Sequence, residues 1–186
     1  MRPQKVENKE ILEGLFTVFR SKGYDGASLN ELAKATGLKK ASLYHRFPGG
    51  KSEMTQEVLT FIEELVFHKI YSILNNEELE PKKRLSKVLK NIELIYNGGK
   101  NDCIYRSLSM DVSISSFGDL IKKGVEQWIS AFKTLGMALK MDENEAEEMA
   151  NQTFIDIQGS LVLSKSLGNI KPFSNAIKRI ENRYKT

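Results

Sequence analysis

Residues 28–47 read Ser-Leu-Asn-Glu-Leu-Ala-Lys-Ala-Thr-Gly-Leu-Lys-Lys-Ala-Ser-Leu-Tyr-His-Arg-Phe. The stretch opens with a capping box: the Ser28 hydroxyl caps a new helix while Glu31 reaches back to the Ser28 amide. That helix is short, Leu29 to Thr36, and Gly37 stops it because glycine takes left-handed backbone angles without penalty. A second short helix, Lys39 to Phe47, follows at once. Helix, a three-residue turn Gly37-Leu38-Lys39, and helix is the helix-turn-helix pattern. Leu32, Ala33, Leu38 and Leu43 are placed to pack inward and lock the crossing. Helical geometry then turns Lys40, Ser42, Tyr44 and His45 toward solvent.

That outward set suits a nucleic-acid groove. Lys40 reaches a base acceptor or a phosphate, and Ser42, Tyr44 and His45 hydrogen-bond phosphates or bases. Ser28 stands at a helix start whose free amides favour a phosphate. Lys39, at the start of the second short helix, and Lys51, just after Pro48-Gly49-Gly50, add cations. Each residue also has a purely structural reading. Tyr44 would be a buried aromatic, the lysines ordinary solvated side chains, His45 a packing residue and Ser28 only a cap.

Outward from this stretch the periodicity is helical almost everywhere. A first helix is expected from about Val6 to Lys22, with Ile11, Leu12, Leu15, Phe16 and Phe19 as its stripe and Gly23-Tyr24-Asp25-Gly26 ending it. After Pro48-Gly49-Gly50 the pattern predicts a long helix, Lys51 to about Leu74. Further helices are expected from near Pro81, over Cys103–Val112, Phe117–Leu139, Glu143–Leu167 and Pro172–Tyr184. The fold class is all-α: a three-helix head on a helical bundle, about nine helices, with a DNA-binding domain over 1–50 and a ligand-binding and dimerisation domain over 51–186.

Charge divides the same way. Residues 1–54 hold ten Lys/Arg against six Asp/Glu, whereas 55–186 hold eighteen of each. A basic head on a neutral body points to an anionic partner. One cysteine, Cys103, rules out an internal disulfide, and no Cys/His spacing of a metal module is present. With no apolar leader and no run long enough to span a bilayer, the expectation is a protein of the cytoplasm that does not enter the membrane. No acid, base and nucleophile set converges on a catalytic site, and no phosphate-binding glycine loop or other cofactor motif is present; the expectation is a non-enzyme without cofactor or metal.

Several residues of the head carry a family resemblance together. Ser28, Leu32-Ala33, Gly37-Leu38, Leu43-Tyr44, His45, Phe47 and Lys51 resemble the signature of the TetR family of transcriptional regulators. The extra residue in Pro48-Gly49-Gly50-Lys51 resembles the LmrA/YxaF-like subgroup. Lys39 departs from the pattern, since the family often has a capping Ser or Thr there. The resemblance implies a dimeric repressor on a pseudo-palindromic double-stranded operator, controlled by a small apolar or aromatic effector and paired through its last two helices.

For the effector, the aromatic and flexible residues Phe61, Tyr96, Met110, Trp128, Phe132 and Phe154, with Tyr105 and Gln158 as polar partners, are the candidate lining. For the homodimer, the segment Ile155 to Leu163 is apolar nearly all round, and the last helix is amphipathic. Ile155, Gly159, Val162, Phe173, Ile177 and Ile180 are the candidate interface. The same residues also read as the core of a single chain. An activator or constitutive helix-turn-helix protein without an effector, a helical protein adaptor, and an enzyme are the competing functions.

Overall fold

The computed structural model describes residues 7–110 and 117–184. Among them every regular element is helical, as the periodicity predicts. By internal packing the chain forms two compact units, one of residues 1–63 with 104–121, the other of 64–103 with 122–186.

The first unit begins with α1 (Asn8–Gly26). Gly23 inside it has φ 70°, so regular helix ends at Lys22, as the glycine-rich tetrapeptide predicts; the expected start at Val6 lies outside the described residues. α2 (Leu29–Thr36) ends on Gly37 at φ 67°, and α3 (Lys40–Arg46) follows. Ile11, Leu15, Phe19, Leu32, Leu43 and Phe47 are buried together with the start of α4 (Gly50–Val66), which contributes Met54 and Val58. Leu12, Phe16, Ala33 and Leu38 are only half-buried.

α1 and α2 approach closely because residue 14 is glycine: a Cβ there would stand 2.5 Å from the Ala35 carbonyl oxygen. The short helix α7 (Ile104–Ser109) lies on α1, and its Ser107 hydroxyl donates to the Arg20 carbonyl at 2.7 Å. The helix expected over Cys103–Val112 ends at Ser109 with a turn at Met110, and residues 111 and 112 lie outside the described residues. The first unit thus holds more than the first 50 residues.

In the second unit the expected single helix to Leu74 changes register. Residues Phe67–Tyr71 form a π turn, and Ser72–Leu74 (α5) complete the run. A π turn loosens the backbone ladder; here the Asn91 amide donates to the Lys69 carbonyl at 2.7 Å and takes up one of its oxygens. α6 (Pro81–Ile95) starts on a proline. Its buried Arg84 donates to the carbonyls of Leu79 (2.6 Å) and Leu74 (3.2 Å), satisfying helix-end oxygens and its own charge together. A 3₁₀ turn, Asn97–Gly99, seats Gly99 against Phe173 so closely that a Cβ would lie 2.6 Å from that side chain. α8 (Gly118–Ala138), α9 (Glu143–Ser166) and α10 (Lys171–Arg183) complete the chain. α9 and α10 pack along one another, and α10 also meets α6. Ion pairs tie Arg183 to Asp156 (2.6 Å) and Lys165 to Asp102 (2.5 Å).

The Gly14 contact yields a stability prediction. Gly14→Ala gains about 1 kcal/mol of helix propensity but drives a methyl into backbone that cannot yield. A net loss of about 1–3 kcal/mol is expected from overpacking, read as a lowered thermal midpoint. An unchanged or raised midpoint would show that α1 and α2 do not approach at residue 14.

Candidate nucleic-acid interface

The site is built on the rotation of α3. Leu43 and Phe47, one turn apart, are buried, and Lys39, Lys40, Ser42, Tyr44, His45 and Arg46 around that narrow seam are exposed. The five predicted residues are therefore all open to solvent, Lys40 and Tyr44 beside the seam and Ser42 and His45 away from it. Tyr44 is 47% exposed; its ring lies against the backbone of Gly50, where a Cβ would come to 3.6 Å of Cε1. Gly50 has φ 66°, a conformation that glycine adopts freely. Lys39 is the N-cap of α3 and makes no capping bond, as its side chain dictates. Two lysines thus stand at the positive end of a helix that holds no acid, an arrangement a phosphate relieves.

Ser28 is engaged within the head. Its hydroxyl accepts from the Glu31 amide and donates to the Glu31 carboxylate, whose other bonds come from the Ser28 amide and the Lys22 ammonium. The ammonium first, then the Ser28 hydroxyl and amide, hold the Glu31 carboxyl down at about 2. What Ser28 leaves for an anion is the amide end of α2.

Lys51 is also engaged. It is half-buried, sits 4.4 Å from the centre of the Tyr24 ring and donates to the Ala27 carbonyl at 3.3 Å. It pins the start of α4 to the end of α1, next to the Ser28 cap. Two supports of the site carried no signal in the spacing. Arg46 bonds Asn8 at 2.5 Å, holding the end of α3 to α1, and the Tyr24 ring meets Phe117 at 5.1 Å. These partners lie 38 and 93 positions apart, so only the folded chain brings them together.

The profile of bacterial regulatory proteins of the tetR family matches residues 11–58, which span this site. Over 168 residues the chain is 24% identical to the HTH-type transcriptional regulator LmrA of Bacillus subtilis (strain 168), covering 88% of this chain and 89% of that one. Over 165 residues it is 29% identical to the uncharacterised HTH-type regulator YxaF of the same organism, covering 84% and 83%. Residues 11–58 thus carry the DNA-binding domain of the TetR family. The crystal structure of a TetR regulator from Legionella pneumophila superposes with a TM-score of 0.83 over 98% of this chain and 99% of that one, at 22% identity. The regulator CifR, solved with 26-base-pair operator DNA, does so at 0.76 over 97% and 98%, at 18% identity. The similarity throughout is to transcriptional regulators and not to enzymes.

In the second unit the Trp128 ring stacks on Phe132 (6.3 Å between centres) and meets Phe154 edge-on (6.0 Å). Gln158 follows Phe154 by one turn of α9. The Trp128 indole N–H and both polar atoms of the Gln158 amide are buried without a hydrogen-bond partner. These four predicted residues therefore form one cluster. Tyr96 instead packs on Phe173. Phe61, Tyr105 and Met110 belong to the first unit; Met110, at the end of α7, is 78% exposed and lines nothing enclosed.

The six predicted dimer residues divide as sharply. Ile155 (59% exposed), Gly159 and Val162 (41%) lie on an open face of α9, continued by Leu163 and Leu167 and, beyond the helix, by Ile170. The apolar stretch of α9 is thus not covered all round by its own chain. Phe173, Ile177 and Ile180 are buried inside the chain. The apolar stripe of α10 is used up on α9 and α6, and its outward face is Lys171, Asn175, Lys178, Arg179 and Asn182. Among the described residues no cluster of three or more His, Cys, Asp or Glu is placed to hold a metal, and no helix is long and apolar enough to cross a membrane.

The Glu31 cap predicts an acid-sensitive head. A carboxyl depressed from its ordinary 4.5 to about 2 adds stability above pH 4.5 that is lost as the pH falls toward 2. Salt weakens the effect because the pair is exposed. Glu31→Gln should lower the thermal midpoint at neutral pH, and the gap to the parent should close between about pH 4.5 and pH 2. A gap that is constant over that range would remove Glu31 as the titrating cap.

Proposed function

We propose that the chain is a repressor that binds a pseudo-palindromic operator as a homodimer and is released by a small apolar or aromatic effector. The observation that carries the DNA half is that α3 exposes Lys39, Lys40, Ser42, Tyr44, His45 and Arg46, basic and polar groups with no acid among them. In this reading residues 1–50 hold the operator and residues 51–186 sense the effector and dimerise. Lys40 and Ser42 read bases, while Tyr44, His45 and the amide end of α2 grip phosphates. Lys51 acts by holding α4 to Tyr24 and Ala27 rather than by reaching DNA. CifR, bound to operator DNA in its own structure, supports the mode of action.

The dimer half rests on the open stripe Ile155, Gly159, Val162, Leu163 and Leu167. An apolar helix face of this length is the kind of surface that a symmetric partner covers. Two-fold symmetry sets two α3 helices about one DNA turn, roughly 34–36 Å, apart. The effector half rests on Trp128 and Gln158: buried polar atoms without partners are costly, and a ligand carrying a hydrogen-bonding group beside an aromatic body satisfies them. The continuous helical run 50–74, which starts beside Tyr44, is the transmitting element in this reading.

Operator affinity should fall steeply with salt. Tyr44→Ala should cost about 1–3 kcal/mol across sequences, roughly 5- to 150-fold, and leave the dimer intact. Val162→Glu should give a monomer in sedimentation and lose operator affinity with it. Full operator affinity in both variants at moderate salt would overturn the assignment of the two surfaces.

For the effector, aromatic amides and alcohols that change Trp128 fluorescence should lower operator affinity by about 5- to 150-fold, the usual range of coupling. Gln158→Leu removes the unpartnered amide, so the fold should hold or gain stability while the response to these compounds is lost. Compounds that bind and leave operator affinity unmoved would favour a constitutive regulator.

A further inference from the structure

A second recess of the second unit borders the Trp128 cluster from outside: Tyr184 in its wall meets the Phe132 ring at 6.0 Å between centres. It is a cleft of about 540 Å³, within the range of small-molecule sites. Its walls come from four places in the chain: Lys82 in α6; Leu139, Lys140 and Met141 in the α8–α9 connection; Glu145 and Met149 in α9; Arg183 and Tyr184 at the end of α10. Leu139, the two methionines and the Tyr184 ring make an apolar floor, and three cations face one acid.

The cations are held there by features a merely solvated surface would not need. Lys82 sits in the first turn of α6, at the positive end of a 15-residue helix, where the acid at the N-cap, Glu80, is taken by Lys83 at 3.1 Å. Lys140 has φ 73°. It occupies the left-handed position that closes α8: its amide bonds the Met137 carbonyl (3.0 Å) and the Met141 amide bonds the Gly136 carbonyl (3.2 Å). This helix ending ordinarily takes glycine, and a lysine is strained in it. Backbone strain of this kind is kept where the side chain has work to do. Neither Lys82 nor Lys140 has an ion-pair partner among the described residues. Arg183 is oriented by Asp156, which takes one of its terminal nitrogens at 2.6 Å.

We propose that this cleft, lined by Lys82, Lys140 and Arg183 over Leu139, Met141 and Met149, is a second ligand site that takes a small amphiphilic carboxylate. The carboxylate lies between the three cations as a charge-assisted acceptor, and the apolar tail lies on the flexible methionine and leucine floor, which adapts to its shape. Glu145 opposes binding and limits the affinity. Its lining includes neither Trp128 nor Gln158, the residues of the proposed effector cluster.

The test uses octanoate as probe and octanol as its uncharged control on the full chain, followed by calorimetry and by the thermal midpoint. Octanoate should bind and raise the midpoint, and octanol should bind at least about tenfold more weakly. The double variant Lys82→Gln/Lys140→Gly should lose about tenfold or more in octanoate affinity. Glycine relieves the strain at 140, so the variant's own midpoint should not fall; lost binding then cannot be lost folding. Glu145→Gln should tighten octanoate several-fold, and Gln158→Leu should leave it unchanged. Equal binding of octanol, undiminished binding in the double variant, or loss of octanoate binding in Gln158→Leu would each overturn the proposal.

Discussion

The burial of Leu43 and Phe47 beneath α3 is the constraint on which its exposed surface depends. A seven-residue helix is too short to persist alone, so these two anchors, one turn apart, supply both its stability and its rotation. Once they are buried in a core that also holds Leu32, the side chains left in the open include Lys40, Ser42, Tyr44 and His45. The seating depends in turn on the close passage of α1 and α2 at Gly14 and Ala35. Apolar packing thus decides where a polar surface points, although the residues that make the surface contribute little to the packing.

The charges of the head follow a matching division. Its acids close helix starts: Glu10 on the Glu7 amide, Glu31 on Ser28 and Glu53 on the Gly49 amide. A carboxylate placed on such free amides also complements the helix dipole. The cations of α3 are left without an acid on their own helix and face outward. Lys51 is the exception, drawn between the Tyr24 ring and the Ala27 carbonyl. Its charge supports the joint between α1 and α4, close to the site but at right angles to its use.

In the second unit the informative features are places where burial and hydrogen bonding disagree. Arg84 is buried and fully used, capping two carbonyls, and reads as structure. Trp128 and Gln158 are buried with polar atoms unused, which a purely structural role does not explain. The outward stripe of α9 is the converse case: apolar side chains without burial. A core that holds itself together through α6, α9 and α10 has no need of Ile155, Val162 or Leu163 at the surface.

Periodicity and turn chemistry by themselves determined the all-helical class, the boundaries of α2, the start of α6, the Ser28–Glu31 capping box and the exposure of Lys40, Ser42, Tyr44 and His45. These are local properties: a glycine in the left-handed region, a cap three residues from its partner, an apolar repeat of 3.6. Only the tertiary structure decided that Lys51 is a strut, that Gly14 sets the α1–α2 distance, that the long fourth helix carries a π turn and that Phe173, Ile177 and Ile180 face inward while Ile155 and Val162 face out. Two amphipathic helices in sequence do not say which stripe is spent within the chain and which is left for a partner. That choice depends on the third surface, here α6, against which α10 closes. The partners of Lys51, Gly14 and Tyr24 lie 20 to 90 or so positions away, beyond the reach of any local pattern, because burial and charge pairing act through space and not along the chain.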